Sequence, residues 1–308
     1  MIVVCKESEV SATIIHVLWA WVCYVLWGLF PAFFPLLKPA SPLEILAHRF
    51  VWTLVFMLAI VLFSGQFKKL LRIPWRVWAT VFAAAVLIAV NWGTYIVAVN
   101  SDHVADAALG YFINPLVSVL LGVFFLAERL RPLQWLSVGI AVVAVAVLTV
   151  DLGHPPVISL ALAFSFGFYG LLKKRVPLTP MISLTCETLC IAPVAIVYLL
   201  VLGQRHEGTF TSEGVGHTLL LMTAGIVTAV PLLLFGYAAQ QISLTSLGML
   251  QYLTPVLQML WAVFVTQESF SLGRWLGFII IWVSVGFFMT DLALVSRKRA
   301  HPLRAPSS

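Results

Sequence analysis

The feature that most constrains this chain is a stretch it contains twice. Residues 111–128 read Tyr-Phe-Ile-Asn-Pro-Leu-Val-Ser-Val-Leu-Leu-Gly-Val-Phe-Phe-Leu-Ala-Glu, and residues 251–268 read Gln-Tyr-Leu-Thr-Pro-Val-Leu-Gln-Met-Leu-Trp-Ala-Val-Phe-Val-Thr-Gln-Glu. At an offset of 140 positions Pro115 falls on Pro255, Val123-Phe124 on Val263-Phe264 and Glu128 on Glu268. The register runs on without a gap: Trp135-Leu136 meets Trp275-Leu276, Ile140 meets Ile280 and Asp151 meets Asp291. Upstream, Ala89-Val90 meets Ala229-Val230 and Ala98 meets Ala238. Apolar matches alone would be cheap in this composition, but a matched Pro, Glu, Trp and Asp in one register are not. The chain reads as two copies of one unit, with function expected between them.

Composition identifies the solvent of that unit. The chain is 61% hydrophobic and 10% charged, against about a quarter charged in ordinary soluble domains. Nearly all of it falls into apolar runs long enough to cross ~30 Å of hydrocarbon as helix, and a membrane sheet barrel would show shorter alternating segments. Ten spans are expected, at 13–37, 42–63, 76–99, 104–126, 132–150, 156–172, 179–202, 217–239, 243–266 and 272–294. Prolines punctuate the short links: Pro39, Pro42, Pro74, Pro132, Pro155, Pro156 and Pro177. The expected fold is all-α and integral to the membrane. Its parts are a first five-helix repeat (1–151), a second repeat (152–294) and a basic tail (295–308). Five spans is an odd number, so the second copy lies upside down relative to the first. Inverted repeats of this kind recur in secondary transporters, which rock about a midplane site. A symmetric scaffold for a channel or a membrane enzyme is the plainer alternative.

Charge orients the bundle. With the N-terminus cytoplasmic, the inside regions hold Lys6, Lys68, Lys69, Arg72, Arg76, Arg129, Arg131, Lys173, Lys174, Arg175, Arg297, Lys298, Arg299 and Arg304. Outside links hold Lys38, Arg205 and Arg274, and Arg49 lies within a span. Both termini are therefore expected in the cytoplasm. The same bias explains the net charge of +6 without nucleic acid. The first apolar run is too long for a cleavable signal peptide. Cys5, Cys23, Cys186 and Cys190 show neither a disulfide framework nor metal spacing, and Cys186 and Cys190 read as apolar thiols on one helix face.

Polar groups in a span are costly unless paired or facing water, so they are the site candidates. Glu44 and His48, one turn apart, can meet. Arg49 lies about 10 Å below the surface of its span; it suits an anionic substrate group and equally a fixed counter-charge to a neighbouring helix. Near mid-span lie Asn91, Trp92, Tyr111, Asn114, Tyr169, Gln251, Tyr252 and Thr254. Pro115 and Pro255 each remove a backbone bond and free a carbonyl one turn earlier, at Tyr111 and Gln251. That pattern fits a cavity lining, and also a kink satisfied by neighbouring helices. Glu187 is a further buried carboxylate; with Glu44 and His48 it makes up the groups able to carry a coupling proton. Asp102, Asp106, Asp151, Glu268 and Asp291 stand at span ends, where a solvated carboxylate needs no function. Gly28, Ala83-Ala84-Ala85, Gly110, Gly139 and Gly277 suit close helix packing.

No phosphate loop, His-Glu-x-x-His or Gly-x-Ser-x-Gly motif is present. Several runs do resemble a known family. Glu44-Ile45-Leu46-Ala47-His48-Arg49, Asn91-Trp92, Ala98-Val99-Asn100, Leu109 to Val117, Phe164 to Gly170, Gly225-Ile226-Val227-Thr228, Pro231-Leu232-Leu233 and Gln251-Tyr252 are similar to the RarD proteins. These belong to the EamA branch of the drug/metabolite transporter superfamily. The resemblance spans roughly 13–294 and implies a ten-helix inverted-repeat permease of the bacterial inner membrane. RarD proteins carry chloramphenicol-related labels, and superfamily relatives export amino acids and other metabolites. The resemblance assigns no site residues.

The expectation is an exporter or exchanger of small polar or amphipathic metabolites rather than an enzyme. Arg49 would attract an anionic group, and Trp92 would form an apolar wall. Asn91, Tyr111, Asn114, Tyr169, Gln251 and Tyr252 would give hydrogen bonds. Glu44, His48 or Glu187 would carry a proton. No cofactor or metal is expected. Expected partners are a small molecule, the lipid bilayer and protons, with a homodimer left open. A lipid-headgroup enzyme using His48 as base and a passive channel are the alternatives.

Overall fold

The computed structural model describes the backbone of residues 2–100, 104–153, 156–267 and 270–300. Side chains are described from Ile15 on, apart from residues 99, 100, 104, 105, 152, 292, 293 and 295–300 within those segments. Asp102, Glu268 and the tail from 301 lie outside this set, as do the side chains of Cys5 and Lys6.

Among the described residues ten helices are long and apolar enough to cross a membrane, and each begins and ends within three residues of its expected span. The sequence signals for the starts are local. Ser41 Oγ accepts from Glu44 N at 3.2 Å and Pro42 supplies the first turn, so α2 runs Pro42–Phe63. The first turn of α5 (Pro132–Leu152) and of α7 (Pro180–Gln204) is likewise opened by proline. Gly153, at φ +79°, closes α5 in the left-handed conformation that favours glycine. The other first-repeat helices are α1 (Ile2–Gly28), extended by short turns to Leu37, α3 (Trp75–Asn100) and α4 (Val104–Leu126). The second repeat holds α6 (Val157–Arg175), α7, α8 (Gly214–Gln241), α9 (Leu244–Gln251), α10 (Leu253–Phe264) and α11 (Leu272–Ala300). Together α9 and α10 make one span.

An even number of spans puts the start of α1 and the end of α11 on one face, called here the terminal face. The repeats interleave rather than sit side by side. Helix α4 packs on α6 and α9, α2 on α7 and α8, α1 on α8, and α5 on α11. The bundle interior is apolar and aromatic, with Tyr24, Tyr169, Tyr252, Phe235 and Phe288 almost wholly buried. Outward-facing apolar groups such as Phe63, Phe124 and Leu272 suit lipid contact. Gly28, Gly110 and Gly277 sit where a Cβ would press on Leu257, Leu162 and Leu148, so close approach is their use. Gly139 faces open space and does not share it.

Equivalent positions of the two repeats meet across the seam. Tyr252 Oη donates to the Phe112 carbonyl at 3.2 Å, and these residues are 140 positions apart. Arg131 pairs with Asp291, its Nε 2.8 Å from Oδ2, and the equivalent pair at the other face is Ser271 Oγ donating to Asp151 Oδ2 at 2.8 Å. Asp291 is therefore a buried ion-pair partner, not the solvated carboxylate expected. Asp106 is buried as well. Glu128 takes the amides of Leu244 and Thr245 at 2.6 and 2.9 Å, capping α9 from the other repeat.

The matched prolines do not act alike. Helix α4 continues through Pro115, whereas the second-repeat span breaks at Tyr252, between α9 and α10 and three residues before Pro255.

Candidate functional site

Several of the polar residues expected in the spans converge on one cavity. It measures about 70 Å³, several times the ~10–15 Å³ that admits one water. It lies on the seam, bounded by α1, α2, α3 and α4 of the first repeat and by α6 and α9–α10 of the second. Five expected site residues line it: Arg49, Asn91, Trp92, Tyr111 and Gln251. Pro255 joins them, so the helix break contributes wall as well as backbone. Thr254, also on the wall, spends its hydroxyl on the Tyr24 carbonyl at 3.0 Å.

Arg49 is the organising charge. Its Nε donates to Thr228 Oγ1 at 2.9 Å. Its guanidinium lies 4.0 Å from the centroid of the Trp92 ring, with Phe34 and Phe30 at 5.3 and 5.8 Å. No carboxylate pairs with it among the described residues. The reading of Arg49 as a counter-charge to a neighbouring helix thus finds no acid there, and its two terminal nitrogens have no hydrogen-bond acceptor among the described residues. Asn91 Nδ2 donates to the Leu162 carbonyl at 2.8 Å and to Ser165 Oγ at 3.0 Å, and its Oδ1 has no hydrogen bond among the described residues. The Tyr111 hydroxyl and the Gln251 amide make no hydrogen bond within the described protein. Trp27, Phe30 and Phe166 complete the apolar wall. Such a site can hold a small molecule with an anionic head and an apolar or aromatic body.

The other expected residues go elsewhere. Tyr252 is fully buried and bridges the repeats. Asn114 is buried outside the cavity, its Oδ1 without a partner among the described residues. Glu44 and His48 do not bond to each other. Glu44 Oε1 accepts from Thr209 N at 2.6 Å. The His48 ring stacks on Phe210 with centroids 4.7 Å apart, and both its nitrogens lack partners. Adjacent residues on a helix point 100° apart, so His48 and Arg49 serve different compartments.

Tyr169 and Glu187 meet in a second place on the seam. The Tyr169 hydroxyl donates to Glu187 Oε2 at 3.1 Å, and both line a small void shared with Trp92 and Thr228. Glu187 also pairs with Lys173 at 2.8 Å. Sequence reasoning placed Lys173 in a cytoplasmic link, but only 1% of it is exposed. Thr228, Trp27 and Gln258 were missed too. Thr228 lies in a quoted family run, but no spacing in the sequence links it to Arg49, which stands on another helix.

Comparisons with known proteins agree with this architecture. The model of the EamA-like transporter family matches twice, over residues 14–150 and 156–290. "Protein RarD" of Streptomyces exfoliatus is 47% identical, over 92% of this chain and 90% of its own. "Uncharacterized transporter YojE" of Bacillus subtilis is 42% identical, over 92% and 96%. "Protein RarD" of Escherichia coli K12 is 39% identical, over 92% and 96%. A solved structure titled "Crystal structure of protein" superposes with a TM-score of 0.70 at 20% identity, covering 92% of this chain and 98% of that one, which speaks to fold alone. Two matched repeats, ten spans and a polar cavity on the seam thus have one meaning: the chain belongs to the EamA-like transporter family and is a multi-pass membrane transporter.

Proposed function

We propose that this transporter moves small metabolites bearing a carboxylate or phosphate group, by alternating access between its inverted repeats. The observation that carries this reading is Arg49: a cation inside the bundle, on a cavity wall, with no acid to balance it among the described residues. A charge in that position is costly unless something pairs with it, and a guanidinium held against Trp92 presents its two free nitrogens as a fork for an anion. Tyr111 and Gln251 add hydrogen-bonding groups, while Trp27, Trp92 and Phe166 suit an apolar body.

The cavity lies between mid-span and the face opposite the termini, by the depth of Arg49, Asn91 and Tyr111 in their helices. Below it the seam narrows to the void beside Glu187, which supports a conformation open toward one side only. The Lys and Arg bias supports termini in the cytoplasm, and moving Lys173 from link to interior does not change its sign. Bacterial relatives support the plasma membrane as the location. Glu187, Glu44 and His48 remain the groups for proton coupling. One relative, 28% identical, is named "Chloramphenicol-sensitive protein RarD"; chloramphenicol carries no carboxylate or phosphate for Arg49, so it serves as a discriminating control.

Untargeted mass spectrometry of the medium tests this. Cells expressing the intact chain are compared with cells expressing Arg49→Ala at matched membrane levels, with chloramphenicol added as one analyte. Carboxylates or phosphates that change with the intact chain alone support the reading. An uncharged class that changes equally with both chains overturns it.

A further inference from the structure

Three basic residues close α6, and they do not behave alike. Lys174 Nζ donates to the carbonyls of Ala239, at 3.3 Å, and Ile242, at the end of α8. Arg175 donates to the Phe125 carbonyl at the end of α4. Both do what cations commonly do at helix C-termini. Lys173 instead turns into the bundle. Its Nζ is 2.8 Å from Glu187 Oε1 and 3.0 Å from Ser183 Oγ, and the Ser183 hydroxyl donates to the same carboxylate oxygen at 2.6 Å.

This buried pair is the inverted counterpart of the Arg49 site. Arg49 is the eighth residue of α2, counted from Pro42, and Glu187 the eighth of α7, counted from Pro180. The two helices are equivalent members of the two repeats and pack on each other. Each residue therefore lies about 10 Å below its own face, at opposite ends of one seam. The void that Glu187 and Tyr169 line has room for about 10 Å³, roughly one water. Its far wall is Trp92 and Thr228, the residues that hold Arg49. The cavity and the void are thus consecutive, with Arg49 before the shared wall and Lys173 behind it.

We propose that Lys173 is a second anion-binding station, reached from the terminal face, where the substrate's anionic group replaces the Glu187 carboxylate as counter-ion. This rests on the reading of Arg49 as an anion site. Charge balance dictates the accompanying step. Before exchange this station holds one ammonium, Lys173, and one carboxylate, Glu187. When the anion takes the ammonium, a carboxylate left charged and unpaired there would cost several kcal/mol. Glu187 therefore takes one proton from water on the terminal side, and the proton and the anion enter together. On release the proton leaves and the pair re-forms. The titratable groups facing Glu187 are Lys173 and Tyr169 from α6 and Cys186 and Cys190 on its own helix. Helices α2 and α8 offer Thr53 and Thr228.

Calorimetric titration of the purified full-length chain with benzoate and with acetate, both fully ionised near neutral pH, in buffers of different ionisation enthalpy, tests the proposal. The expected result is uptake approaching one proton per anion, with affinity rising as pH falls by up to about tenfold per unit. The double variant Lys173→Met/Glu187→Gln removes both charges together, which commonly leaves a fold intact. It should bind the same anions at Arg49 with no proton uptake. Proton uptake that persists in the double variant would overturn the proposal. Binding that depends on Arg49 with no proton uptake in the unmodified chain would overturn it too, and leave the cavity reading standing. Failure of both anions to bind the unmodified chain would overturn both readings.

Discussion

The two ends of the seam invite comparison, because the same depth in equivalent helices is used for opposite purposes. In α2 the eighth residue is Arg49, half-buried, with a neutral hydrogen-bond partner and aromatic rings around it. In α7 it is Glu187, fully buried, with its oxygens taken by Lys173, Ser183 and Tyr169. One end is a charge waiting for a partner beside a roomy cavity; the other is a charge already matched in a space closed to about one water. Duplication supplied the same scaffold to both ends, and side-chain choice made one open and one shut. Asymmetry of this kind leaves one end of the seam roomy and the other closed.

The comparison can be broken at several strengths. The largest effect is expected from Lys173→Met, which strands the Glu187 carboxylate in the interior at a cost of about 3–5 kcal/mol. The folded, monodisperse fraction in size-exclusion chromatography should collapse, and adding Glu187→Gln should restore it. If Lys173→Met alone is as stable as the parent, the matched end is not what holds the seam shut. Next comes Arg49→Ala. Losing a charge-assisted fork worth about 1.5–3 kcal/mol should weaken transport roughly 10- to 100-fold, while the folded fraction stays near normal. Arg49→Lys should recover part of the activity, since a point charge keeps the attraction but not the fork geometry.

A smaller effect separates the prolines. Pro255→Ala should slow transport several-fold by letting α9 and α10 join into one helix through the cavity wall. Pro115→Ala, in a helix that already continues through it, should leave transport within about twofold, because regaining one backbone bond is a local change. Equal effects would show that the break at Tyr252 has no part in the site. The smallest effect concerns the face-end pairs. Asp291→Asn should cost about 1 kcal/mol or less, because Arg131 is partly exposed and screened. Asp151→Asn, which loses a surface hydroxyl contact, should cost less still in thermal unfolding.

Much of this was legible beforehand, for physical reasons. Span limits came from caps and prolines, which act over a few residues and do not depend on what packs nearby. Arg49, Asn91, Trp92, Tyr111 and Gln251 could be named because desolvation makes any polar side chain in a span conspicuous. What could not be read was which polar groups were already satisfied. Tyr252 and Gln251 are neighbours in sequence, yet one bridges backbone and the other faces the cavity, and helix phase at a break decides that. Lys173 escaped because Lys173-Lys174-Arg175 reads as ordinary loop bias. Only Glu187, fourteen positions on and in another helix, turns the first of the three inward. Asp291 escaped likewise, since its partner Arg131 comes from the other repeat.

The bond from Tyr252 to the Phe112 carbonyl has a consequence for descent. The two positions are equivalent, so the contact sits where the copies coincide under exchange. In a pair of identical half-length subunits both positions would carry the same residue, giving two hydroxyls or none where this chain has one. A fused chain escapes that restriction, because each copy can change alone. Phe112 beside Tyr252 is thus a difference that fusion permits, and it marks the point where an inherited symmetry could first be spent on making the two ends of the pathway unlike.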